Sequence, residues 1–389
     1  MLGVRGFATS PPPAFRQGDA LLIGGAELAA EGLSRALARR GHAVTLFTRG
    51  GDDEDSGGVR LLPGWYLRGR RGEALSHTLW GTIRAVRSRY DLIHYHAVGP
   101  GSCAVLARLG GVPTVVTVQG LDWLREKWRG WERPTIQWLG RLGLRAADAA
   151  IAVAPSLVPL VEAEGARRVV CIPNGYADPG DPDSGTLAML RLAPERYFLM
   201  LTRLVPEKNV HRVIAAYREA HVNWPLVIAG GGSHTDEYVR TLRRQASEVP
   251  GVSLIGVVRG RTKAALLRFC GAFLNASDVE GLSLAVLEAL GAGVPVGLSH
   301  IPANLDIFKL IDFDKDARPA VFDQSNLGAI AQGMRALSEL SEASRLAWRR
   351  VSDRVRDRFA WERLAAETEA LYFEVLAARR RRSAEGEPV

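Results

Sequence analysis

Three cysteines in 389 residues, Cys103, Cys171 and Cys270, are too few and too scattered for a disulfide framework or a zinc knuckle. No stretch approaches the roughly 18 consecutive apolar residues that a membrane span requires. The N-terminus lacks the succession of basic, apolar and small residues that marks a signal peptide. These absences argue against a secreted, metal-ribbon or membrane-spanning protein and predict a cytoplasmic chain. Acidic residues are also in deficit: 42 Asp and Glu face 50 Lys and Arg, a net charge of +8. That balance suits anionic ligands, an acidic membrane surface or nucleic acid, and does not choose among them. Apolar residues are plentiful, at 47% of the chain. At this length they can fill a large core divided between two domains.

Met1 to Phe7 is barely long enough for a strand, and Ser10 to Asp19, with Pro11, Pro12 and Pro13, reads as a loop, which leaves a truncated or misassigned start open. From Ala26 to Arg40 the apolar positions follow helical spacing, Gly41 supplies a stop, and Ala43 to Thr48 reads as a buried strand. Further strands are expected at 92–95, 114–118, 150–153 and 169–172. The Gly-, Asp- and Pro-rich stretch from Asn174 to Gly185 reads as an interdomain linker. Beyond it the pattern restarts, with strands at 197–201, 226–229, 252–255, 272–275 and 294–298 alternating with helices. Such alternation predicts parallel sheets covered by helices on both faces. In open sheets of this kind ligands bind beyond the carboxyl ends of the strands.

Two segments there carry chemistry. Leu201 to Asn209 places Arg203 just past a strand and Lys208 at the start of the next helix. Arg offers a bidentate fork, Lys a point charge and the helix end its free amides, a combination suited to a phosphate or diphosphate. Two surface cations flanking a turn are the alternative. In Asp278 to Leu290, Glu280 precedes a helix and Glu288 lies within it, a little over two turns on, so both carboxylates can address one ligand. A carboxylate within so apolar a helix is rarely unpaired, and an ion pair with a nearby Arg is the structural alternative. Gly230-Gly231-Gly232 follows a strand without opening a dinucleotide fingerprint, and Asp312-Phe313-Asp314 reads as a solvated loop rather than a metal site. His94 and His96 sit at one strand end, where one is expected to face the helix layer and the other to reach the ligand.

Arg203 to Lys208 together with Glu280 and Glu288 resembles the retaining glycosyltransferases of family 4. Gly24-Gly25-Ala26-Glu27 looks like that family's glycine-rich loop, and Ile172-Pro173-Asn174-Gly175 like its end-of-domain signature. The segment from Gly120 to Trp128 is similar to a bacterial subgroup acting in surface polysaccharide assembly. The resemblance implies an α/β protein of the GT-B fold, two doubly wound Rossmann-like domains facing a central cleft. The expected boundaries are 1–176 for the acceptor-side domain, 177–190 for the linker and 191–351 for the nucleotide-sugar domain. A helical segment, 352–378, is expected to pack back on the N-terminal domain, and 379–389 to form a basic, disordered tail.

By the same resemblance, Arg203 and Lys208 bind the donor diphosphate, Glu280 sits near the donor sugar and Glu288 accepts hydrogen bonds from the ribose. Arg203, Lys208 and Glu280 would form the catalytic set. Gly281, Leu282 and Ser283 line the donor, and Gly24 and Gly25 admit the phosphates close to the backbone. His96, Gln119 and Gly120 fall on the acceptor side. No metal and no cofactor is expected, since the nucleotide-sugar, UDP-, GDP- or dTDP-linked, is a co-substrate whose departing charge the cations neutralise. The chain departs from the family at Gln119, where a His is usual, at Ala154, where a Ser is common, and in Gly297 to Asp306, where His300 replaces an Asp. These departures also fit a catalytically degenerate protein that binds or scaffolds sugar nucleotides in the same pathway.

Trp123, Trp128, Trp131 and Trp138 are interleaved with Arg and Lys between Gly120 and Arg145. Aromatics among cations compose an interfacial segment, which predicts contact with an anionic membrane carrying a saccharide or lipid-linked acceptor. Packing of these rings in the core is the alternative. No nucleic-acid motif is present. The sequence thus predicts a cytoplasmic glycosyltransferase, peripheral on the inner face of the cell membrane.

Overall fold

The computed structural model describes residues 25–67, 73–121, 123, 130–232, 235–311, 313 and 315–385. The chain forms two compact units, one running to Gly175 and resuming at Trp361, the other comprising Tyr176–Ala360.

In the first unit β1 (Val44–Thr48) pairs in parallel with β3 (Val59–Pro63), and β2 (Glu54–Ser56) runs antiparallel to β3. A second, fully parallel sheet has the order β4 (Ile93–His96), β5 (Thr114–Val118), β6 (Ala149–Ala152) and β7 (Val169–Cys171). Every residue of β1, β4, β5 and β6 is buried, so these strands lack the alternation of a half-exposed strand; β6 is wholly apolar, and the Thr and His side chains of the other three are enclosed with their apolar neighbours. Helix Gly25–Arg39 and helix Trp361–Ala384 join both sheets in one core, where Leu33, Leu46 and Leu61 pack with Val115, Leu364 and Tyr372. A Cβ at Gly175 would stand 2.3 Å from the Trp361 ring, and one at Gly32 equally close. The indole is seated against two residues without side chains, which anchors the returning chain.

The second unit holds one parallel six-stranded sheet of β8 (Phe198–Leu201), β9 (Leu226–Ala229), β10 (Val252–Gly256), β11 (Ala272–Asn275), β12 (Val296–Ser299) and β13 (Ala320–Phe322). Its order is β10-β9-β8-β11-β12-β13. The chain leaves β8 toward one edge and returns to pair β11 on its other side. The boundary between β8 and β11 is therefore the topological switch point, where the loops diverge and leave room for a ligand.

Three expectations are corrected. Residues 177–190 belong to the second unit: they include helix Thr186–Met189, and the Asp183 N–H donates to the Arg261 carbonyl at 3.1 Å. The expected helical segment 352–378 is two helices, Glu342–Arg358 in the second unit and Trp361–Ala384 in the first. They part at Phe359, which is fully buried and whose carbonyl accepts from the Tyr176 N–H at 2.6 Å, leaving Ala360 bridged to Tyr176. Arg379 to Arg382 continue the last helix instead of opening a disordered tail. The cause is Asp148, whose nearly buried carboxylate draws Arg379 to 3.4 Å and Arg382 to 3.8 Å. Among the described residues no helix is long and apolar enough to cross a membrane.

Candidate active site

The loop after β8 folds into a one-turn 3-10 helix, Pro206–Lys208, and Asn209 then adopts a left-handed conformation (φ 53°) before helix Val210–Ala220. Asn tolerates that conformation because its short amide can bond locally. Here it donates to the Ala276 carbonyl at 2.9 Å and to Asp278 Oδ1 at 2.8 Å, tying the β8 loop to the β11 loop. Lys208 thus precedes the helix instead of starting it, and its buried ammonium points across the switch point.

Its partner is Glu280. Lys208 Nζ donates to Glu280 Oε1 at 2.5 Å, with the two side chains 10% and 14% exposed. The same oxygen accepts from Ser277 Oγ at 2.8 Å and Asn275 Nδ2 at 3.2 Å. Burial pushes this carboxyl up, but the charge and hydrogen bond of Lys208, with Ser277 and Asn275, outweigh it and hold Glu280 below its ordinary value. Among the described residues Oε2 takes no partner. Behind the pair, Ser299 Oγ donates to the Ser277 carbonyl at 2.7 Å, and Asn304 Nδ2 to Ser299 Oγ at 3.0 Å. This buried chain of polar groups fixes the loop that carries Glu280.

Gly281 and Leu282 are buried, and Ser283 leads into helix Leu284–Gly291 without capping it through its side chain. The first amides of that helix are left to another acceptor. Glu288, on the helix, is 5% exposed and pairs with Lys263, whose Nζ donates to Oε1 at 2.6 Å. Burial dominates here and raises the carboxyl despite Lys263. The two carboxylates therefore have separate cationic partners and opposite shifts. Arg203 is half-buried, and among the described residues its guanidinium has no hydrogen-bonding or ion-pairing partner. Gly230 lets the β9 loop approach: a Cβ there would stand 1.7 Å from the Thr202 carbonyl oxygen, next to Arg203.

In the first unit His94 and His96 share one face of β4 with their rings stacked at 4.2 Å, correcting the expectation that they point to different sides. Residues two apart on a strand project the same way. His94 is held by the Tyr372 hydroxyl and by Thr117 Oγ1, each at 2.6 Å. Burial lowers His94 well below its ordinary value, with the neighbouring His96 adding to it, and brings His96 down to about 4. Both imidazoles are neutral near pH 7. Gln119, at the end of β5, exchanges two amide hydrogen bonds with Asn174, at 2.9 and 2.8 Å. Gly120 follows it, buried and with φ 138°. Gly25 is exposed at the start of its helix, whereas Gly24 lies outside the described residues. So do Asp312 and Asp314. Among the described residues no three His, Cys, Asp or Glu side chains group to hold a metal ion.

Lys263 and the Asn275, Ser277, Ser299 and Asn304 chain escaped the sequence reading. Lys263 could have been found from its place on helix Gly260–Phe269, three and four residues before the buried Leu266 and Leu267 and hence on the inner face. The polar chain joins the ends of β11 and β12, the loop after β11 and helix Pro302–Leu310, and leaves no local signal.

Residues 23–177 match the family described as Glycosyltransferase Family 4, and residues 190–350 match Glycosyl transferases group 1. The chain is 27% identical over 119 residues to the O-antigen chain mannosyltransferase B of Escherichia coli, covering 30% of this chain and 31% of that protein. Matches to the curated relatives span only 21% to 45% of their lengths. The fold is similar to sucrose-phosphate synthase of Thermosynechococcus elongatus, with a TM-score of 0.77 at 19% identity over 97% of this chain and 100% of that one. It is also similar to Anabaena HepE in complex with UDP and glucose, with a TM-score of 0.74 at 16% identity over 96% and 100%.

Proposed function

The chain belongs to the GT-B glycosyltransferases of family 4, and from that premise we propose that it moves a sugar from a nucleotide-sugar donor to a saccharide or lipid-linked saccharide acceptor, with retention of configuration. The donor is UDP-, GDP- or dTDP-linked, and the product serves cell-surface polysaccharide, at the inner face of the membrane. The observation that carries the reading is the Lys208–Glu280 pair at the switch point of the second unit, with Glu288 on the helix that follows.

Arg203, without a partner among the described residues, and Lys208 take the two phosphates, supported by the uncapped amides beyond Ser283. Glu288 keeps one oxygen on Lys263 and offers the other to the ribose diol. Glu280, ionised through its donors, turns Oε2 to the sugar. As the glycosidic bond to the diphosphate breaks, negative charge grows on the leaving phosphate, where the cations and helix amides stabilise it more than in the ground state. The chain's own residues supply that neutralisation without a metal ion. The HepE complex with UDP and glucose and the E. coli mannosyltransferase support a nucleotide-sugar donor.

One observation favours a binding protein without turnover: the Gln119 amide is occupied by Asn174 where the family usually carries a His. One experiment separates the readings, nucleoside diphosphate release from UDP-, GDP- and dTDP-sugars with membrane lipid extract as acceptor, with Glu288→Ala alongside. Acceptor-dependent release that the variant loses supports the transferase. Binding of nucleotide without release from any donor sinks it.

A further inference from the structure

Packing explains Trp123, Trp361 and Trp80 of the first unit: Trp123 is buried against Gly140, Trp361 is seated on Gly32 and Gly175, and Trp80 meets Phe47 edge-on at 5.9 Å. Trp131 and Trp138 are exposed, at the start of helix Glu132–Ala146 and within it, and Trp128 lies outside the described residues. Trp65, two residues past β3, is also 59% exposed, but the backbone on both sides of it is pinned. Before it, the Gly64 N–H donates to the Thr48 carbonyl at 2.8 Å, just beyond the last pair of the β1–β3 ladder. The same carbonyl accepts from His77 Nε2 at 2.9 Å. A Cβ at Gly64 would stand 2.6 Å from the Trp80 ring and 2.8 Å from His77 Nε2, so the chain lies closer here than a side chain would allow. After it, the Leu67 N–H donates to Ser76 Oγ at 3.0 Å, and the Tyr66 ring meets His77 edge-on at 6.4 Å. A large ring held in water on a fixed backbone loses little conformational freedom when a ligand covers it.

The polar groups around this loop are only partly used. Arg49, one residue past β1, donates from Nη1 to Glu73 Oε1 at 2.8 Å, where helix Glu73–Arg87 begins. Its Nε is a buried donor with no acceptor in the chain. Glu73 Oε2 and the Tyr66 hydroxyl have no hydrogen-bonding partner among the described residues. Donors, acceptors and a flat apolar ring therefore stand together at the carboxyl ends of two parallel strands, the end at which open sheets bind their ligands.

We infer that Trp65, Arg49 and Glu73 form a saccharide subsite: one face of a sugar ring of the acceptor lies on the Trp65 indole, while two neighbouring hydroxyls of that ring donate to Glu73 Oε2 and accept from Arg49. A sugar ring carries a face of C–H groups and a rim of hydroxyls, each both donor and acceptor, which is the complement of an indole beside a guanidinium–carboxylate pair. A phosphate or carboxylate in the same place would meet the charge of Glu73, and the pairing already neutralises Arg49. A wholly apolar ligand would leave both groups unpaired. The inference rests on the transferase reading for assigning the ring to the acceptor, and on the surface alone for its chemistry. It narrows the acceptor to one that presents a sugar ring. The sugar of the donor is the other source of such a ring, and the test separates the two.

The test is saturation-transfer NMR of the full chain with the methyl glycosides of glucose, mannose, galactose and N-acetylglucosamine, and separately with UDP and UDP-glucose. The wild type is expected to transfer saturation to the ring C–H protons of at least one methyl glycoside with no nucleotide present. Trp65→Ala should weaken that glycoside about tenfold and Trp65→Phe less. Glu73→Gln keeps the shape but replaces a charge-assisted bond with a neutral one, and should cost about fivefold. Both side chains reach solvent, and an unchanged Tm would confirm folding. In nucleoside diphosphate release with membrane lipid extract, Trp65→Ala should raise the KM for the extract about tenfold while the KM for the donor is kept, a split that general loosening of the fold would not produce. Saturation of none of the four glycosides, undiminished saturation in Trp65→Ala, or a loss of UDP or UDP-glucose affinity in that variant, which would put the donor on the indole, would each overturn the inference. Glycoside binding that depends on Trp65 in a protein that releases no nucleoside diphosphate defeats the transferase alone. Release whose KM for the extract ignores Trp65 defeats the subsite alone.

Discussion

Lys263→Met removes a charge at nearly constant length and isolates what that charge does for Glu288. The carboxyl is 5% exposed, and its ordinary value is already raised because burial outweighs the Lys263 ammonium 2.6 Å away. Breaking a fully buried pair costs about 3–5 kcal/mol. Lys263 is 26% exposed, so solvent screens part of the interaction and a loss of about 1–3 kcal/mol in stability is expected near pH 7. With the counter-ion gone, burial acts alone and the carboxyl rises further. A protonated Glu288 accepts from the ribose as a neutral group, and charge-assisted bonds are about twice as strong as neutral ones, so nucleotide affinity should fall about tenfold.

The sign follows from the direction of the shift. The binding-competent carboxylate is present above the raised value and lost as pH falls through it, so Lys263→Met should bind weakly near neutrality and recover in base. Arg356 and Tyr176 also face this end of the helix. Arg356 donates to the Gly291 carbonyl at 2.9 Å, and burial raises the Tyr176 phenol above its ordinary 10.0. Calorimetric titration with UDP and GDP from about pH 6 to about pH 9 reads the profile, with Glu288→Gln and the double variant as controls. Superimposable profiles for wild type and Lys263→Met would refute the reasoning, as would a pH shift that persists in the double variant.

Lys208→Met leaves Glu280 buried without its counter-ion and should cost about 3–5 kcal/mol by denaturant unfolding at neutral pH. Wild-type Glu280 is held low, so its stabilisation is present above the ordinary carboxyl value and fades as pH falls; the penalty should shrink in acid, and a penalty independent of pH would count against the pair. Gly230→Ala forces a methyl group into the Thr202 carbonyl and should cost about 2–4 kcal/mol while weakening nucleotide binding; crystallography showing an unmoved β8 loop would contradict this. His94 and His96 stay neutral when folded and protonate when unfolded below their ordinary 6.5, so stability should fall on acidification by about 1.4 kcal/mol per pH unit for each ring. His96→Gln should remove its own share of that slope, and an unchanged slope would show that its burial is not what titrates.

Most strands of the parallel sheets were legible, the short edge strand β13 excepted, because burial on two faces favours continuous runs of apolar and β-branched side chains, as in Thr114–Val118 and Leu226–Ala229. The exceptions lie at sheet margins: β2 is exposed at Glu54 and Asp55 and carries no apolar pattern to read. Arg203, Lys208, Glu280 and Glu288 could be singled out locally, since cations beside a strand end and a carboxylate in an apolar helix are incongruous wherever they occur. Their partners could not. That Glu280 meets Lys208, Glu288 meets Lys263 and Gln119 meets Asn174 depends on segments 72, 25 and 55 residues apart being brought together. The polar arginines of the C-terminal helix looked like a solvated tail until Asp148, 231 residues away, took Arg379. Composition and periodicity along the chain decide which residues must be buried and which are out of place; which charge answers which, and so which carboxylate is held low and which is raised, is settled only where the sheet order brings distant loops to the same strand ends.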